Sequence, residues 1–228
     1  MNRHGLSLVH AKAETLNPET KIVIFLFFMK GLIAMIKNKN STVVNLALTG
    51  LMGALVYIAT MFFKVEIPVG GDRTMIGFAN VFCVLSGLIL GPAYGGLAAG
   101  VGSFLFDITG GWFSSAGVTL ITKGLMAVIC GLIAWSGKQE TQKISRLIVA
   151  AITGSLAYCI MYLGHSFFQL LIAGSTAEVA AITMMTKAGA TLLNAVVADV
   201  IAVPLFLTIR TALQRNHLWK GKKPGQAV

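Results

Sequence analysis

The chain has 228 residues, 56% hydrophobic and 11% charged, with a formal net charge of +10. A soluble domain carries about 25% charged residues, and its surface-to-volume ratio leaves no room to hide so much apolar surface. These figures, with a mean hydropathy of +0.80, exclude a cytosolic enzyme, a nucleic-acid module and a disordered chain. They leave an integral membrane protein of one domain.

The stretch 1–40 differs from the rest. Asn2 to Thr20 is polar, and Ile22 to Ile36 is apolar but interrupted by Lys30. It is shorter than the roughly 20 apolar residues a spanning helix needs and has no small-residue cleavage site. It is expected to be an N-terminal extension, an interfacial segment or the product of an upstream start, with Met29 or Met35 as alternative starts. Six apolar segments follow: Val43 to Phe63, Ile76 to Leu90, Ala93 to Ile108, Val118 to Trp135, Leu147 to Ala173, and Ala188 to Ile209, the last beginning as early as Ala180. Gly91-Pro92 and Gly110-Gly111 break the pattern between neighbours. The expected fold is an all-α integral membrane bundle of six transmembrane helices over 41–212, with a basic cytoplasmic tail over 213–228. The second and third segments are short for full spans and are expected to be tilted, covered by neighbours or partly re-entrant.

Positive-inside counting orients this bundle. With the start of the first segment inside, Lys37, Lys39, Lys138, Lys143, Arg146, Arg210, Arg215, Lys220, Lys222 and Lys223 fall inside, and the outer loops keep Lys64 and Arg73. Both termini are then cytoplasmic, and the remaining positive charge suits anionic lipid. Small residues recur four apart at Gly50 and Ala54, Gly87 and Gly91, and Gly96 and Gly100, a spacing that lets helix backbones approach closely. The last two pairs read as packing within the chain, whereas Gly50 and Ala54 are free to face another subunit. Cys83, Cys130 and Cys159 lie in apolar stretches with no CxxC and read as packing residues.

Ionisable side chains inside membrane segments are costly and mark function by default. Asp107, Lys123, His165, Lys187 and Asp199 are of this kind, and all but Asp199 fall in the outer half of their segments. Tyr158, Tyr162, His165 and Gln169 are spaced to share one helix face, as are Lys187, Thr191 and Asn194, and Thr119 and Lys123. Asn80 stands at the outer start of the second segment, and Trp112 in the loop after the third. Aromatic and hydrogen-bonding groups converging on a buried cavity describe a small-molecule site. Each residue also has a plainer reading. Asp107 and Lys123 can neutralise each other, His165 can be a core histidine, and Lys187 can snorkel to headgroups. Asn194 and Asp199 can bond across helices, Tyr158 can be packing, and Trp112 can anchor at the interface. No P-loop, metal-binding cluster or serine-nucleophile elbow is present in the sequence, so no cofactor, metal or catalytic residue is expected.

The stretch from Met75 to Ala134 carries Gly91-Pro92-Ala93-Tyr94-Gly95, Gly102-Ser103 leading to Asp107, Gly110-Gly111, and Thr119 to Lys123-Gly124; Asn194, Val203-Pro204-Leu205 and a basic tail follow later. With its size and six segments, the region from about Asn40 to Arg215 resembles the substrate-binding S component of energy-coupling factor (ECF) vitamin transporters. The resemblance implies a six-helix bundle with an outward-facing vitamin site capped by loops, in the cell membrane of a prokaryote. It implies docking on a membrane coupling subunit driven by two cytoplasmic ATPases, which would topple the bundle to release the ligand inward. Gly50 and Ala54 would contact the coupling subunit, as GxxxA in place of the family's usual AxxxA. The Asp107 and Lys123 pattern is most similar to the branch for pyridoxine or the hydroxymethylpyrimidine of thiamine, with pantothenate and riboflavin as other vitamins of the family. The expected substrate-binding set is Asn80, Asp107, Trp112, Lys123, Tyr162, His165, Gln169, Lys187 and Asn194. Two alternatives remain: a solitary proton-coupled carrier using Asp107, His165 or Asp199, and an intramembrane enzyme or assembly protein.

Overall fold

The computed structural model describes residues 41–69, 72–136 and 143–215. The expectations for the 1–40 extension and for the tail beyond 215 lie outside the described residues. The elements run α1 (Ser41–Phe62), β1 (Lys64–Val69), β2 (Asp72–Gly77), α2 (Ala79–Thr109), α3 (Phe113–Trp135), α4 (Ile144–Ile172) and α5 (Ala177–Arg215). Five helices are long and apolar enough to cross a membrane, which makes the described part a multi-pass membrane bundle. Six segments were expected. The second and third fall within one helical element, α2, broken at Gly91.

The break follows from two residues. Gly91 sits at φ 77°, ψ −173°, a backbone region essentially reserved for glycine. Pro92 lacks the N–H that would continue the helix. The limbs 79–90 and 92–109 fold back on each other. Ser86 Oγ donates to Gly95 O at 3.0 Å, and Cys83 Sγ lies 3.9 Å from Ser103 Oγ. A straight helix would hold that second pair about 30 Å apart. Limb 79–90 is only about 18 Å long by the same rise, short of a full span, and every residue from Ala79 to Ile89 is buried. One of its closing carbonyls finds a partner across the bundle, because Trp135 Nε1 donates to Leu88 O at 3.0 Å.

Broken α2 stands at the centre and touches all four other helices. Glycines bring backbones together there. A Cβ on Gly131 would lie 2.6 Å from Pro92 N, one on Gly87 would run into Ala127 O, and one on Gly102 into Gly53 O. Gly96 and Gly100 face Gly124 and Leu120 of α3. The spacing at 87, 96 and 100 therefore serves packing within the chain. The core continues through Met52, Leu55, Leu85, Met126, Leu147 and Phe206, each fully buried.

One element was missed. The stretch between the first two apolar segments was read as a loop and is an antiparallel β-hairpin, with Lys64 opposite Gly77 and Val69 opposite Asp72. Ile76, taken as the start of a helical segment, belongs to β2, and the helix begins at Ala79. The signal was present: KVEIPV and DRTMIG flank Gly70-Gly71, the two-glycine pattern of a tight hairpin.

Candidate functional site

The hairpin, the α2–α3 turn and the adjoining ends of α2, α3, α4 and α5 line a partly open cavity of about 610 Å³. That lies within the range of about 300–1,000 Å³ common for small-molecule sites. All nine sequence-predicted residues line it: Asn80, Asp107, Trp112, Lys123, Tyr162, His165, Gln169, Lys187 and Asn194. They arrive from four helices and a turn, and helical periodicity aims each group inward. The α4 face presents Tyr158, Tyr162, His165 and Gln169, and the α5 face presents Lys187, Thr191 and Asn194.

The α2–α3 wall is buried and polar. Asn80 is 4% exposed, Asp107 3% and Lys123 6%. No ion pair joins Asp107 to Lys123, so they are not a closed structural pair, although Asp107 lies in the field of Lys123. Asn80 Nδ2, Asp107 Oδ2 and Trp112 Nε1 are buried and make no hydrogen bond within the chain. An unmet buried polar atom is destabilising by about 1–3 kcal/mol, and the three residues that carry these atoms all line the cavity, where a small shift of the side chain would bring them to a polar ligand.

On the opposite wall, Lys187 is buried rather than snorkelling, and its Nζ donates to Ser166 Oγ at 3.4 Å. Tyr158 and Tyr162 stack at 5.7 Å between centroids and 21° between planes. Tyr158, set down as packing, also lines the cavity. Asn194 plays a structural part as well. Its Nδ2 donates to Met75 O at 2.8 Å, and its Oδ1 accepts from Gly77 N at 2.9 Å. One amide thereby ties β2 to α5.

The hairpin supplies what the sequence reading left out. Arg73 stacks over the Trp112 ring at 4.0 Å and donates to Gly111 O at 2.9 Å. Lys64 lies over the Phe106 ring at 4.8 Å. Glu66 pairs with both, with Arg73 at 3.3 Å. Burial pushes the Glu66 carboxyl up, but Lys64 and Arg73 outweigh it and hold the group below its ordinary value. Arg73, Lys64 and Thr74 line the cavity; in the sequence Lys64 and Arg73 counted only toward topology. Trp112 is thus both a wall and the seat of the hairpin. Two other aromatic side chains of the same helices, Phe113 at 70% exposed and Phe167 at 49% exposed beside Phe168, do not line the cavity.

Two expected groups lie away from the cavity. Asp199 accepts from Ser155 Oγ at 2.7 Å, a bond across α4 and α5. Gly50 is exposed, with nothing near its Cβ position, and Ala54 is half-buried beside it. Among the described residues no His, Cys, Asp or Glu cluster could hold a metal ion.

Residues 40–211 match the family model described as ECF-type riboflavin transporter, S component. The chain is also 31% identical over 123 residues to an uncharacterized protein of Pyrococcus woesei, covering 54% of this chain and 78% of that one. The family is described by riboflavin, whereas the resemblance carried by Asp107 and Lys123 leans toward pyridoxine or hydroxymethylpyrimidine.

Proposed function

The chain belongs to the family of ECF-type riboflavin transporter S components, and from that premise we propose that its cavity captures riboflavin at the outer face of a prokaryotic cell membrane. The family is one of transport subunits, not of enzymes. The observation that carries the reading is the buried trio of Asn80 Nδ2, Asp107 Oδ2 and Trp112 Nε1 on one cavity of about 610 Å³. Two donors and one acceptor match a flavin edge, which offers carbonyl and ring-nitrogen acceptors beside an imide N–H. Tyr162 and Trp112 supply ring faces. His165, Gln169 and Lys187 suit the ribityl hydroxyls. A single six-membered ring such as pyridoxine or hydroxymethylpyrimidine would meet Asp107 and Lys123 but leave much of this volume unfilled.

Delivery follows from the family's working parts. The bundle carries the ligand, a membrane coupling subunit receives it, and two cytoplasmic ATPases drive release. Both termini face the cytoplasm in this arrangement, which puts the hairpin outside as the cap. The exposed Gly50 and half-buried Ala54 of α1 form the contact with the coupling subunit, because small residues let a second helix approach.

The test is titration of the purified protein with riboflavin, read by flavin fluorescence, alongside pyridoxine and hydroxymethylpyrimidine. One riboflavin bound per chain is expected. Binding of a single-ring compound with none of riboflavin would overturn the ligand. Uptake by cells with and without the coupling subunit and ATPases tests the mechanism. Uptake that persists without them and follows the proton gradient would favour a solitary carrier.

A further inference from the structure

The fold of α2 sets the order of groups on the α2–α3 wall. Its two limbs run antiparallel, with Cys83 beside Ser103. Three residues further from the break on each limb, that register brings Asn80 opposite Phe106 and next to Asp107. The Trp112 backbone N–H donates to Asp107 O at 2.8 Å, so Asp107 neighbours both. Their polar ends form a donor, an acceptor and a donor: Asn80 Nδ2, Asp107 Oδ2 and Trp112 Nε1, each buried and without a hydrogen bond in the chain. Asp107 lies in the field of Lys123. An ionised carboxylate accepts only, whereas an amide nitrogen and an indole N–H donate only. All three residues line the cavity, so a small side-chain shift presents the set to a ligand.

We infer that this wall reads the edge of a cyclic imide, O=C–NH–C=O, and that Asp107 sets the specificity. Asp107 takes the imide N–H, and Asn80 and Trp112 take the two carbonyls that flank it. The inference rests on reading this cavity as the flavin site and names the edge that is recognised. The pattern it needs, acceptor–donor–acceptor with all three groups coplanar, runs along the pyrimidinedione ring of a flavin. The bond from the imide N–H to the carboxylate is charge-assisted and so the strongest of the three. A buried group built to accept from an N–H rejects the analogue that lacks it, because that group is then left unpaired. The hydroxyl tail meets other residues and adds affinity without changing this choice. A flavin without the tail therefore keeps the same preference.

The experiment measures affinities of the full chain in lipid nanodiscs for matched pairs, each a free imide beside its derivative methylated on the imide nitrogen. The parent compounds are riboflavin, lumiflavin (the same ring without the ribityl tail) and dimethylribityllumazine (a smaller ring system with the same imide). Each methylated member is expected to bind about tenfold weaker or more, about 1.4 kcal/mol. Asp107→Ala removes both the partner of the N–H and the group a methyl would strike, and should bring that ratio to about threefold or less. Asn80→Ala should weaken both members of a pair alike and keep the ratio. Equal affinity within every pair, or a penalty that persists in folded Asp107→Ala, overturns the inference and leaves the riboflavin reading standing if riboflavin binds. An imide preference confined to the lumazine pair, with neither flavin bound, keeps the inference and overturns riboflavin. Binding of no member overturns both. The comparison in the unmodified chain decides the matter even if Asp107→Ala fails to fold.

Discussion

The two halves of the bundle are held together by different physics. In α2, 72% of an apolar stretch of spanning length is buried within the protein, against 39% in α3 and 33% in each of α4 and α5, so α2 alone is central. The α2–α3 half is joined by backbones in contact at Gly87, Gly100 and Gly131. The α4–α5 half is joined by side-chain polar bonds: Ser155 to Asp199 at 2.7 Å, Lys187 to Ser166 at 3.4 Å, and Cys159 Sγ to Thr191 O at 3.8 Å. Close backbone packing has little freedom to relax, whereas side-chain hydrogen bonds exchange partners. The cavity lies between a rigid wall and an adjustable one, and the hairpin closes over both.

The largest effect should come from breaking the rigid half. Gly131→Leu drives a side chain into the Gly91–Pro92 turn and should cost about 3 kcal/mol, read as a lowered thermal unfolding midpoint. The same substitution at Gly164, where a Cβ meets nothing within 4 Å, should change stability by less than about 0.5 kcal/mol. Next comes the tie between hairpin and bundle. Asn194→Ala leaves Gly77 N and Met75 O without their partner and should cost about 2 kcal/mol. Its signature is faster amide hydrogen exchange confined to β1 and β2, and uniform exchange across the bundle would refute the tie. Third, Lys123→Ala should weaken ligand binding by more than about tenfold, or 1.4 kcal/mol, without loss of folded protein. Unchanged affinity in a well-behaved variant would remove Lys123 from the site.

The smallest effect concerns the cap and pH. The Glu66 carboxyl is depressed in the folded state, so its contribution is present above the ordinary carboxylate range and is lost as pH falls through the lowered folded value. Trp112 fluorescence, which reports Arg73 stacked on the ring, should stay flat from about pH 8 to 5 and change only below about pH 4. Glu66→Gln should flatten that acid transition. A transition near neutral pH would show that another group controls the cap.

Much of the site was legible because helical periodicity is a local property. Tyr158, Tyr162, His165 and Gln169 share a face wherever α4 is placed, and the same holds for Lys187, Thr191 and Asn194 on α5. Positive-inside counting put most of the buried polar groups at one depth, and groups at one depth in a small bundle converge. The cap was less legible. Lys64 and Arg73 were read as loop charges, and only the pairing of β1 with β2 carries Arg73 to Trp112, 39 positions later in the chain. Nothing in the sequence around Asn194 signals that its amide is engaged by a strand more than a hundred residues away.

Sequence alone determined that this chain lives in a membrane, because 56% hydrophobic residues with 11% charge have no soluble solution. It also determined most of the helical stretches and the place where α2 breaks, because Gly91-Pro92 removes a helix N–H beside a residue free to leave helical backbone angles. Tertiary structure decided which polar atoms are left without partners. Asn80, Asp107 and Trp112 are ordinary polar residues in the sequence. They line one cavity and hold buried, unmet hydrogen-bonding atoms because α2 folds back and the hairpin packs beside them. Burial and satisfaction are properties of the surroundings, and those surroundings come from distant parts of the chain.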